Sequence, residues 1–378
     1  MIYLDNAATS FPKPVEVIRA VSNAFTEYGA NPGRSGHDFS LKSAMCVYSA
    51  RETVNDFFNG YGTQYVSFAQ NCTLALNQAI KGIVNKGEHI IISSYEHNSV
   101  LRPVHSLCLN GENEYSVFDV ADNDETTLQN LKACIKENSS LVAVTAVSNV
   151  FGVILPVEKI ARLCKENGIK LLVDGAQGAG ILNLDMKKQG ISCLCAPGHK
   201  GLSGPMGTGV LLHDGCVKRA VIQGGTGSMS FDYSQPADYP ERLEAGTLNV
   251  PGIAGLKAGI EYIKKYGTEN IRNEESELIW YLYNGLKNIK NVILYNEYNK
   301  EKFAPLLSFN IKNMHSEETA SLLNEQGVAV RGGYHCSALS HKYRNTQDTG
   351  TVRISPSKYN VKKDINILLN LVNKIAFF

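Results

Sequence analysis

Short apolar runs alternate with helical stretches through the middle of this chain, and that alternation restricts the possible folds more than any other feature. The runs fall at 64–68, 89–93, 141–145, 170–173, 191–195 and 208–212. Helical patterns lie between them, for example 157–166, opened by Pro156 and closed by Asn167-Gly168. Apolar runs of this length separated by helices predict a mostly parallel sheet covered on both faces, an α/β architecture. Ligands of such sheets sit beyond the carboxyl ends of the strands. Cys72, Thr73, His97, Asn149, Asp174 and Lys200 all follow directly after these runs.

At 378 residues the chain exceeds one ordinary core. A long helical region over 251–290, interrupted near 266–268, leads to a sparser pattern. Strands are expected at 306–311, 328–331 and 351–354, with helices at 316–326 and 363–375. The expected division is a large domain over 15–260 and a smaller α+β domain built from 1–14 and 261–378. A formal net charge of +1 gives no electrostatic case for nucleic acid or an anionic membrane as partner. No apolar run approaches the roughly 20 residues of a membrane helix, and the N-terminus shows no secretory pattern. Nine cysteines without framework spacing read as reduced thiols of a cytoplasmic protein. Walker-type and G-x-G-x-x-G loops, H-E-x-x-H, C-x-x-C and G-x-S-x-G are all absent, so no metal site is expected.

Lys200 stands in Ala196-Pro197-Gly198-His199-Lys200-Gly201, and Asp174 and Gln177 in Val173-Asp174-Gly175-Ala176-Gln177. A lysine amine can condense with the aldehyde of pyridoxal phosphate, while an aspartate keeps the pyridine nitrogen protonated. Taken singly, each segment reads equally as a polar turn or a strand end. Thr73 at a helix start suits a phosphate, as it suits an ordinary N-cap. The His97 imidazole suits stacking on a flat ring, and the Asn149 amide a ring oxygen. Cys336 lies in the glycine-rich Arg331-Gly332-Gly333-Tyr334-His335-Cys336-Ser337, where Arg331 and His335 are candidates to lower a thiol pKa. Cys193 and Cys195 alternate along a strand and read as structural. Arg353, in Val352-Arg353-Ile354, suits bidentate recognition of a carboxylate.

In this order, the motifs make the chain resemble the class V aminotransferase group of fold-type I pyridoxal phosphate enzymes. The resemblance is to the cysteine desulfurases and selenocysteine lyases with a short catalytic-cysteine loop, and it runs from Tyr3-Leu4-Asp5-Asn6 to Arg353-Ile354-Ser355. It implies a seven-stranded-type sheet between helices and a catalytic set of Lys200, Cys336 and His97. It further implies that Cys72, Thr73, His97, Asn149, Asp174, Gln177, His199 and Lys200 bind pyridoxal 5'-phosphate. Thr247 would reach the phosphate of a neighbouring subunit, making the active unit a homodimer. Arg353 and Asn149 would bind the substrate, L-cysteine or L-selenocysteine, with sulfur passed as a persulfide through Cys336 to an acceptor protein. A transaminase or epimerase on the same scaffold would need no Cys336. The family usually carries serine where this chain has Pro197, and losing that phosphate donor should cost about 1 kcal/mol.

Overall fold

The computed structural model describes residues 1–33 and 36–377. Its largest sheet has seven strands, in the spatial order Val66–Ala69, Gly209–His213, Cys193–Pro197, Lys170–Asp174, Ser139–Thr145, His89–Ser93 and Glu114–Phe118. The last five of these pair in parallel, as apolar runs separated by helices predict. Gly209–His213 is antiparallel to both of its neighbours, because no helix lies in the segment connecting it to Cys193–Pro197. Strand Glu114–Phe118 has no counterpart among the expected runs. It is an edge strand whose mixed exposure removes the continuous apolar signal.

Two apolar clusters line the two faces of this sheet. One contains Ile91, Val142, Val144 and Val173 with the helix Val157–Glu166; the other contains Ile90, Ile92, Leu141 and Leu172 with the helix Cys72–Ile83. A third cluster joins Leu4 to Leu278–Leu286, Phe309, Val352, Ile354 and the helix Lys362–Ile375 around the three-stranded antiparallel sheet of Val292–Leu294, Leu307–Ile311 and Val352–Ile354. The long helical region resolves into Val250–Tyr266 and Thr268–Lys287, broken at Gly267. No helix of the described residues is long and apolar enough to cross a membrane.

Pairing also aligns the strand ends. Thr145 pairs with Asp174, Asp174 with Cys195, and Gly209 with both Pro197 and Ala69. The turns that begin after Ala69, Ser93, Thr145, Asp174 and Pro197 therefore open at one edge. Gly209 permits the close approach there, since a Cβ at that position would lie 2.6 Å from the Asn71 backbone. Pro197 is tolerated because pairing with Lys170–Asp174 ends at Cys195, so no ladder N–H is lost on that side.

Candidate active site

Asp174 ends its strand buried, with Oδ1 accepting from the Ala176 N–H at 2.9 Å and from the Cys72 thiol at 3.7 Å. Burial raises its pKa, while the Ala176 N–H, Lys200 and Cys72 pull it back down. Lys200 follows the neighbouring strand and opens onto a cleft whose wall includes Asn6, Gln177, Ser355 and Glu275. Desolvation, then the positive charge of Arg353, lowers the lysine pKa, which favours the free amine a nucleophile needs. The turn bearing it is held by its neighbour's carbonyl. His199 O accepts from Ser10 N at 3.0 Å, Thr9 Oγ1 at 3.0 Å and Lys13 Nζ at 2.8 Å. These N-terminal donors carry no local motif and were not foreseeable from the sequence. Gly201 is required next to Lys200 because a side chain there would run into the Ala179 carbonyl.

His97 caps the helix Asn98–Cys108, its Nδ1 accepting from the Ser99 N–H at 3.0 Å, so the ring proton belongs on Nε2. Burial and nearby Lys200 push its pKa down to about 4, leaving the ring neutral at pH 7. Ser99 Oγ lies 2.9 Å from His97 Nδ1 and 2.8 Å from Thr73 Oγ1, tying the starts of two helices together. His199 is likewise held neutral by burial, with a pKa of about 4. Asn149 is buried; its Nδ2 donates to His335 O at 2.6 Å and its Oδ1 finds no partner. Gln177 Nε2 donates to Ala7 O at 2.9 Å. Thr247 lies apart, exposed on a loop over Gln70, Gly207 and Thr208.

The other half of the site comes from residues far along the chain. Arg353 is buried, with Nη2 paired to Asp5 Oδ1 at 2.8 Å, Nη1 donating to Asn149 O at 3.0 Å and Nε unpartnered. Cys336 is exposed, in contrast to buried Cys193 and Cys195, which pack in the same apolar cluster. His335 cannot supply the positive charge expected beside Cys336. It is buried, desolvation holds its pKa well below the usual value, and Nε2 lies 2.9 Å from Thr351 O. Arg331, whose backbone pairs with Arg353, remains the cation of this loop.

Glu96, the residue before His97, also belongs to the site. It is fully buried, with Oε1 accepting from Thr145 N at 2.8 Å and from the Ser93 hydroxyl, and Oε2 unpartnered. Desolvation pushes its pKa up to about 8. The unfolded carboxyl titrates near 4.3, so between the two values only the native state keeps the proton. Stability therefore falls as pH rises across that window, by up to about 1.4 kcal/mol per pH unit from this group. Glu96→Gln should flatten the decline when urea denaturation is followed from roughly pH 5 to pH 8. Equal slopes in variant and native protein would show that Glu96 is ionised throughout.

These groups fit a flat, phosphorylated cofactor. Asn149 Oδ1 and His199 Nδ1 are buried and unpartnered, Asp174 is a buried carboxylate, and Lys200 is a desolvated amine facing a cleft. The start of the helix Cys72–Ile83 brings a positive dipole end to the same edge. Fold and site together define a mostly parallel α/β sheet whose carboxyl edge carries a buried carboxylate and a desolvated lysine. The class-V aminotransferase model matches residues 2–368, and the chain belongs to that family. It is similar to a probable cysteine desulfurase of Pyrococcus abyssi, 34% identical over 385 residues, covering 100% of this chain and 94% of the relative. It is also 32% identical over 383 residues to a probable cysteine desulfurase of Methanothermobacter thermautotrophicus, covering 99% and 94%. Among solved structures, the apo cysteine desulfurase of Thermococcus onnurineus superposes with a TM-score of 0.92 at 32% identity, covering 100% of this chain and 94% of that one. The Escherichia coli cysteine desulfurase CsdA, solved as its S-sulfonic acid, gives a TM-score of 0.87 at 26% identity, covering 99% and 94%.

Proposed function

We propose that this chain is a pyridoxal-phosphate-dependent cysteine desulfurase that takes sulfur from L-cysteine onto Cys336 and releases L-alanine. The observation that carries this reading is an exposed thiol whose loop is hydrogen-bonded to the ring site itself. His335 O accepts from Asn149 Nδ2, and Cys336 O accepts from the Asn98 N–H next to His97, at 2.8 Å. The relatives' names and the family fit support the same activity.

When bound, pyridoxal phosphate supplies an electron sink for a carbanion at the substrate Cα. Lys200 holds the cofactor and moves the Cα proton, helped by a lowered pKa. Asp174 would accept from the pyridine nitrogen, neutral His97 would support the ring, and Asn149 and Gln177 would serve its hydroxyl. The Cys72–Thr73 helix start and His199 would receive the phosphate, and Thr247 would be contributed by a second copy. Arg353, oriented by Asp5, meets the substrate carboxylate. The Cys336 thiolate attacks the substrate sulfur: an S–S bond forms, the C–S bond breaks with its electron pair left on carbon, and protonation gives alanine.

A second copy of the chain also suits the exposed apolar residues Ile18, Phe25, Leu41 and Met45 on the consecutive helices Val15–Glu27 and Asp38–Phe57. Nine free thiols suit a reducing cytoplasm, and an exposed Cys336 suits delivery to an acceptor thiol. Purified protein given L-cysteine and a thiol reductant should form alanine and sulfide in equal amounts. Cofactor absorbance without alanine would move the substrate to another amino acid.

A further inference from the structure

The loop that carries Cys336 is held in a conformation it would not adopt alone. His335 and Cys336 both have positive φ, 49° and 57°, a pair of left-handed residues without a glycine. Such backbone persists only where its surroundings hold it. Three hydrogen bonds tie it to the Asn149 and His97 turns, one from each of three consecutive residues. His335 O and Cys336 O accept from Asn149 and Asn98, and the Ser337 hydroxyl donates to Glu96 O at 3.0 Å. The last two bracket His97 on both sides.

Ser337 is the side chain of the loop that bonds to the His97 turn. It is the N-cap of the helix Ala338–Tyr343 and is fully buried, yet its side chain makes no capping bond to that helix. An N-cap serine ordinarily accepts from its own helix. Its hydroxyl instead lies 2.6 Å from Ser340 Oγ. A hydroxyl has one proton to donate, and Ser337 directs it to Glu96 O, so Ser340 donates to Ser337. The resulting chain runs from Ser340 through Ser337 to the turn that presents His97.

We propose that Ser337 is a positioning residue for sulfur transfer, its hydroxyl holding the Cys336 loop on the His97 turn and thereby fixing the thiol in its exposed pose. This rests on the reading of Cys336 as the sulfur-accepting thiol. The Ser337 hydroxyl bonds to Glu96 O and Ser340 and not to Arg353 or Lys200, so the effect should fall on the transfer step.

In the cofactor-loaded full chain, Ser337→Ala should lower kcat for alanine formation from L-cysteine roughly tenfold, the scale of one lost hydrogen bond. KM and the bound-cofactor absorbance should stay unchanged, and Cys336 alkylation by iodoacetamide should change in rate. Ser340→Ala, which leaves the bond to Glu96 in place, should keep kcat within about twofold. Should Ser337→Ala not fold, the isosteric pair Ser337→Thr and Ser337→Val isolates the hydroxyl, with only the threonine variant retaining the rate. Unchanged kcat in Ser337→Ala, equal loss in Ser340→Ala, or equal rates in the isosteric pair would each overturn the proposal. Cys336→Ser run alongside separates the two claims. If it turns over cysteine normally, the reading of Cys336 fails; if it is inactive while Ser337→Ala is normal, only the positioning role fails.

Discussion

Cys336→Ser should release no sulfur from L-cysteine while keeping its cofactor, a loss of turnover on the order of 10³-fold. Serine preserves the loop: the groups that hold it are backbone carbonyls of His335 and Cys336 and the Ser337 hydroxyl, none of which involves the thiol. The side chain is exposed, so exchanging sulfur for oxygen should cost the fold little. Cofactor absorbance and melting temperature should therefore match the native protein. Alanine formation at the native rate would mean that the thiol takes no part.

Lys200→Met should be the more severe change, abolishing turnover on the order of 10⁴-fold or more because one residue both holds the cofactor and moves the proton. Stability should move in the opposite direction. Desolvation and Arg353 disfavour the charged lysine in the fold, whereas the unfolded amine is protonated at pH 7. A base whose pKa is lowered on folding costs stability at neutral pH, and the cost fades as pH rises toward the unfolded value. The cofactor-free methionine variant should thus melt no lower than cofactor-free native protein at pH 7, a trade of stability against activity. A marked fall in its melting temperature would show that the Lys200 attraction to Asp174 outweighs burial.

The sequence made one half of the site legible and concealed the other. Asp174, Lys200, His97 and Asn149 stand out because parallel strands are continuous apolar runs and chemistry begins where each run stops. Strand direction is less visible: Gly209–His213 has the same apolar character as the parallel strands of the sheet, yet lies antiparallel to both of its neighbours. The hidden half consists of pairings between distant residues. Asp5 meets Arg353 across 348 positions and Ser337 meets Glu96 across 241, contacts that only the tertiary fold creates. Charge state was hidden for the same reason. His335 looks cationic beside Cys336, but burial makes it neutral, and burial makes Glu96 a neutral acid.

The most direct measurement is mass spectrometry of the Cys336 peptide after a single turnover of cofactor-loaded enzyme with L-cysteine and no reductant. Gain of one sulfur atom on Cys336, matched by one alanine released, is the expected result. Alanine release with Cys336 unmodified and the added sulfur on another cysteine, or no alanine at all, would contradict sulfur transfer through this residue.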